Sequence, residues 1–284
     1  MTLINFYQAY LESLNKSPHT IKQYCIDSEQ FLKFLEENKV SLDSDITKVV
    51  KNYITYLLDK YDSITSVNRK ISSLKNFLNF LHMRNLIQLV PVDELKPLRD
   101  HEKKINMLPS NELKKVLRVW FDVYSGTEDE EFKWIALRNF CIVRLMAELS
   151  LKPAEVVKMK WTHIQNNTIS IRTRKRARKL DVSRSMLNWL AIFKKEKENL
   201  FPESISVDYI WLGVGNRRNH PITEKTIERI FHFISKQLEL KVTAMTIRYS
   251  TIREEVLKTT DSEVYKQFGY ARNSVLQERL RRFS

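Results

Sequence analysis

Glycine, proline and cysteine are scarce in this chain of 284 residues, with only four, seven and two of each. So few turn-formers argue against a β-barrel, a β-sandwich or a Gly-rich nucleotide-binding fold, all of which need many tight turns. Cys25 and Cys141 lie far apart inside apolar helical patterns, which argues against a disulfide framework or a zinc site and reads as core thiols in a reducing compartment. No run approaches the ~18 apolar residues of a membrane span. Met1–Leu14 interleaves Asn5, Gln8 and Glu12 with apolar residues, unlike a signal peptide. No motif calls for a metal or a cofactor. What the chain has is an apolar content of 43%, enough for a true interior and too much for a disordered chain. Its length suits two domains better than one, because single cores usually stop growing before this size. The expectation is a cytoplasmic, mostly helical protein.

Charge is distributed unevenly. The net charge is +14; the first 100 residues carry 13 Lys/Arg against 12 Asp/Glu, and the remaining 184 carry 35 against 22. The basic excess therefore belongs to the C-terminal part, and such an excess attracts polyphosphate backbones over long range. Its densest point is Arg172, Arg174, Lys175, Arg176, Arg178, Lys179 and Arg184, opposed only by Asp181. The alternation of Thr168-Ile169-Ser170-Ile171, resumed at Leu180 and Val182, predicts a β-hairpin with a cationic tip. Like charges crowded there oppose folding, and a partner of fixed negative charge would offset that cost.

Periodicity organises the rest. Ser17 reads as an N-cap with Pro18 at the first helical position, leading into Ile21, Tyr24, Cys25, Phe31, Leu32 and Leu35 at helical spacing. A second helix from near Ser66 aligns Val67, Ile71, Leu74, Phe77, Leu78 and Leu81, with Arg69, Lys70 and Lys75 on its other face. Pro91, Pro97 and Pro109, with a charged run from Arg99 to Lys104, mark a linker. The predicted division is 1–88, a linker at 89–108, and 109–284. In the last part, Ser110 is expected to cap a helix through Trp120, an acidic loop to span Glu128–Glu131, and a buried helix to run through Phe140, Cys141 and Leu145. Helices are expected at Met186–Lys197 and after Thr223, and Gly269 is expected to break the C-terminal helices.

The order of these parts resembles the tyrosine recombinases (phage integrases and Xer-type resolvases). Ser17-Pro18-His19-Thr20-Ile21 with Tyr24 and Phe31-Leu32, then Asn68-Arg69-Lys70-Ile71 with Leu74 and Phe77-Leu78, are similar to the family's core-binding domain. Leu151-Lys152-Pro153-Ala154-Glu155 with Trp161, Thr246-Ile247-Arg248-Tyr249-Ser250, and Phe268-Gly269-Tyr270 are similar to its catalytic-domain motifs. The resemblance implies a mainly α protein with a small β-sheet: a helical, SAM-like core-binding domain, and a catalytic-type α/β domain closing with it on duplex DNA. It implies phosphate contact at Lys152, Arg174, Lys175, Arg176, Arg178, Lys179 and Arg248, with Arg69 and Lys70 as further DNA-facing candidates.

The resemblance also implies missing chemistry. Family members attack DNA with a tyrosine hydroxyl, and two arginines, a lysine and His or Trp donors stabilise the charged transition state. Here the first arginine aligns with Lys152, which keeps the charge but lacks the planar fork. The second arginine is Arg248, and the hairpin lysine falls at Arg174 or Lys175. The histidine positions hold Met245, Tyr249 and Tyr270, read as packing residues, and the nucleophile position holds Arg279. The resulting expectation is a non-cleaving, nucleoid-associated DNA-binding protein, similar to repressors of this fold from SPβ-like phages that maintain lysogeny. Its expected partners are double-stranded DNA, an antirepressor protein or peptide, and a second copy through Leu276, Leu280 and Phe283. An active recombinase using Tyr270 or Tyr265, and an inactive accessory of another recombinase, stay open as alternatives.

Overall fold

Oxygen-bearing side chains set several of the helix starts. In this computed structural model Ser17 accepts the Thr20 amide hydrogen bond and Pro18 opens the helix behind it, Asp45 accepts from Thr47 and Lys48, and Ser183 accepts from Met186. The structure describes the chain apart from residues 1, 43, 100–106, 174–176, 205, 260 and 282–284. It divides into two compact units, Met1–Lys103 and Lys104–Ser284.

Among the described residues the first unit holds four helices: α1 (Leu3–Ser13), α2 (Pro18–Glu37), α3 (Ile46–Lys60) and α4 (Ile64–Met83). Their apolar stripes meet around Tyr7, Phe31, Tyr53, Phe77 and Phe80, all buried. Most of these rings pack edge-on or tilted, as Phe31 does on Tyr53 at 5.0 Å, an arrangement aromatic quadrupoles favour, while Phe77 and Phe80 are stacked. Residues 89–98, assigned to the linker by sequence, are not free. Leu95 is buried in this core, with Val90 and Leu98 packed on it. The Asn68 side chain holds Leu98 at both its amide (2.7 Å) and its carbonyl (2.9 Å).

A second correction concerns α4. Lys70 was expected to face DNA. It is instead buried, donating to Asp27 Oδ1 at 2.8 Å and Gln30 Oε1 at 2.6 Å, with its ammonium 4.9 Å from the centre of the Tyr61 ring. Arg69 is more exposed, but its guanidinium is also drawn onto Asp27. Lysine is buried only when paired, and here Asp27 of α2 supplies the pair.

The second unit contains α5 (Ser110–Gly126), α6 (Glu130–Glu148), the short α7 (Pro153–Val156), β1 (Ile164–Gln165), β2 (Thr168–Arg172), β3 (Ala177–Asp181), α8 (Arg184–Leu200), α9 (Glu224–Leu238), α10 (Ala244–Lys258) and α11 (Asn273–Arg281). The sheet is antiparallel in the order β1-β2-β3, with Ile169 opposite Leu180 and Ile171 opposite Arg178. Helix α6 is buried around most of its circumference, as a central core helix must be. It even encloses Arg138, whose guanidinium donates to the Leu212 carbonyl and to Asn139; burial lowers its pKa to about 10. Glu130 and Glu131 form the first turn of α6 behind an Asp129 cap, not a separate acidic loop, and negative charge there favours the helix dipole. Ser110 does not cap α5 but is its first residue, bonding Glu254 at 2.7 Å. Cys25 and Cys141 are both buried and unpaired as a disulfide. Among the described residues no helix is long and apolar enough to cross a membrane.

Candidate nucleic-acid interface

Strand alternation sorts the hairpin cations. Ile169, Ile171 and Leu180 face the core, so Arg178, two residues from Leu180 and opposite Ile171, must face inward too. Arg172 and Lys179 are exposed on the other face. Arg174, Lys175 and Arg176, the expected hairpin tip, lie outside the described residues.

The inward turn takes Arg178 to Glu155 of α7. Its two terminal nitrogens reach the two carboxylate oxygens at 2.8 and 3.0 Å, a bidentate pair of the kind only arginine makes. Arg178 was expected to touch DNA; in the structure it is instead the salt-bridge partner of Glu155. Glu155 also accepts the Lys152 backbone amide at 2.9 Å, closing the first turn of α7. Burial pushes the Glu155 carboxyl up, but the hydrogen bonds from Arg178 and Lys152, with the charges of Arg178 and Arg248, outweigh it and hold it below the ordinary carboxylate value. The pair is therefore intact at neutral pH and weakens only as the pH falls through that lowered value.

Arg248 projects from α10 into the same pocket and is fully buried. Its Nη2 donates to the Phe268 carbonyl at 2.6 Å. Its Nε and Nη1 make no hydrogen bond among the described residues. The guanidinium carbon lies 5.7 Å from the centre of the Tyr270 ring, and the Lys152 ammonium lies 5.9 Å from the same ring. Lys152 and Arg248 are thus brought to one aromatic ring. The Tyr270 hydroxyl donates to that of Tyr249 at 3.3 Å. Burial and this neighbour push the Tyr249 hydroxyl up to about 12, against the pull of Arg279 and Arg248. Both tyrosines are buried with Ile252, Val264, Phe268 and Leu276. Leu276, expected to serve a second copy, is therefore buried within its own chain with Leu280 packed beside it; Phe283 lies outside the described residues. Arg279 is exposed on α11. Met245 is not a packing residue: it is 37% exposed and, with Pro153, walls a cleft of about 950 Å³ floored by Ile227, Phe231 and Val242 and edged by Lys225.

Gly269 matters at this site for two reasons that sequence could not show together. Its φ is +73°, and a Cβ there would stand 2.8 Å from Nη1 of Arg178. Gly269→Ala should cost about 1–2 kcal/mol for the left-handed backbone alone and should push Arg178 off Glu155. Chemical denaturation measures the loss; a loss confined to about 1–2 kcal/mol would show that Arg178 yields freely, and a variant within about 0.5 kcal/mol of the parent would overturn the backbone cost as well.

Residues 4–85 match the family described as phage integrase, N-terminal SAM-like domain. The chain is 27% identical to the tyrosine recombinase XerC of Staphylococcus saprophyticus over 81% of this chain and 75% of that protein. It is 26% identical to a tyrosine recombinase of Pseudothermotoga lettingae over 97% of this chain and 98% of that one. Its fold is similar to a lambda integrase dimer bound to a COC' core site (TM-score 0.70, 16% identity, 99% of this chain and 95% of that one). It is also similar to the Tn1549 transposon integrase in complex with transposon right end DNA (TM-score 0.72, 13% identity, 100% and 95%). The helical first unit, the second unit with its three-stranded sheet, and these relatives define a recombinase-type scaffold. The chain is thus similar to tyrosine recombinases along nearly its whole length, and its first unit matches the integrase SAM-like domain.

Proposed function

We propose that this chain binds duplex DNA in a sequence-specific manner without cleaving it, acting as a transcriptional repressor that maintains a prophage in lysogeny. The observation that carries this reading is Arg248: a buried guanidinium with two nitrogens lacking partners among the described residues, beside Lys152 at one aromatic ring. A buried polar group without a partner is rare, and a phosphate oxygen supplies what these N–H groups lack. Arg172 and Lys179 on the exposed face of the hairpin add to the attraction.

The substitutions at the aligned positions follow one direction. Lys152 and Arg248 keep their charge, whereas Met245 can neither donate a hydrogen bond nor carry a proton. Arg279 stands at the nucleophile position, and no tyrosine occurs from Ala271 to Ser284. Phosphate binding survives such changes, while the covalent route through a phosphotyrosine does not. An integrase-type scaffold that grips DNA without breaking it suits occupancy of an operator.

Selection of bound sites from a random duplex library, followed by a nicked suicide duplex carrying the selected site, tests this. The expected result is a defined motif, retarded complex, and no protein joined covalently to DNA. A covalent adduct that Tyr270→Phe abolishes would establish a displaced nucleophile and an active recombinase. Failure to bind any duplex at about 0.1 M salt, where a basic interface still holds DNA non-specifically, would remove the reading altogether.

A further inference from the structure

Three charged groups share the buried pocket at α7, and their pairing is selective. Glu155 gives both of its oxygens to Arg178. Arg248, close enough that its charge and that of Glu155 act on each other, donates to the Phe268 carbonyl instead. Nothing about the two guanidiniums as chemical groups decides this. The decision is geometric: β3 alternation sends Arg178 inward opposite Ile171, and Gly269 leaves it room, since a Cβ there would meet its guanidinium.

We infer that Arg178 is a positioning residue: by occupying Glu155 it keeps that carboxylate from capturing Arg248, so the open Nε and Nη1 of Arg248 stay available to an anionic oxygen of duplex phosphate. This rests on the DNA-binding reading for its consequence, though not for the pairing itself. A lone buried carboxylate cannot remain uncompensated beside a guanidinium. Without Arg178, Glu155 turns to Arg248 and fills the place the phosphate would take. Arg178 thus acts on the phosphate site through Glu155, with no need to touch DNA.

The test uses the full chain and three variants: Arg178→Met, Glu155→Gln, and both together. Arg178→Met should bind the selected duplex about tenfold more weakly at 0.1 M salt, with a salt slope lower by about 1, the equivalent of one phosphate contact. In the absence of DNA, the side-chain ¹⁵N signal of Arg248 should shift in Arg178→Met. Adding Glu155→Gln should return both the affinity and the signal to those of Glu155→Gln alone. A folded Arg178→Met with unchanged affinity and an unshifted Arg248 signal overturns the inference. So does a double variant as weak as Arg178→Met, because that loss would come from Arg178 touching DNA itself. If the parent chain binds no duplex, the functional reading falls, and the Arg248 signal still decides the pairing. Should Arg178→Met fail to fold, Arg178→Lys replaces it, keeping the charge without the planar fork. A smaller Arg248 shift, cancelled by Glu155→Gln, is then expected, and no shift overturns the inference.

Discussion

Replacing Arg174, Lys175 and Arg176 together by alanine should weaken duplex binding by about 10²–10³-fold at 0.1 M salt. The size follows from counterion release: each phosphate neutralised adds about 0.9 to the slope of log affinity against log salt, so three contacts contribute almost three decades between 0.1 M and 1 M. The effect should be nearly the same for the operator and for unrelated duplex, because phosphate contacts carry no sequence information. These three residues join β2 to β3, and the described cations nearest them, Arg172 and Lys179, are exposed. Arg178 is not grouped with them, since its charge is committed to Glu155. Anisotropy titrations across a salt series check the prediction. Unchanged affinity and slope would mean that the hairpin does not meet DNA.

Asp27→Ala should destabilise the N-terminal unit by about 3–5 kcal/mol, the usual consequence of removing one partner from a buried ion pair. Asp27 is almost fully enclosed, and it is the carboxylate partner of both Lys70 and Arg69. Lys70, itself buried, would be left with the Gln30 oxygen and the Tyr61 ring, neither of which cancels a charge. For a unit of this size the melting temperature should fall by upwards of about 12 °C. The double change Asp27→Leu with Lys70→Met should recover most of the loss, because apolar groups of similar volume replace buried pairs at little cost. A thermal scan of the three proteins decides it, and Asp27→Ala melting within a few degrees of the parent would show that water reaches Lys70.

Both predictions depend on where a cation faces, and the two cases were unequally legible. Lys70 follows Val67 by three residues and precedes Leu74 by four, so helical geometry sets it beside the apolar stripe, although its charge alone suggests the opposite face. Arg178 could likewise be read from Leu180, two residues on in the same strand, but the density of the basic run concealed the alternation. The partners were out of reach. Asp27 lies 43 residues from Lys70 and Glu155 lies 23 from Arg178, and no local pattern joins them. Helices α1 and α3 were not foreseen, whereas α2 and α4 were, because their caps and stripes are local.

By itself the sequence determined the helical class, the cationic hairpin and the recombinase-type order of motifs. These are properties of residue identity and spacing, which act within a turn of helix or a pair of strands. The tertiary structure alone decided which charges remain open. It gave Asp27 to Lys70, Glu155 to Arg178, and left Arg248 buried with nitrogens unpartnered among the described residues. Burial makes such pairing obligatory, and only the folded chain determines which distant groups are buried together.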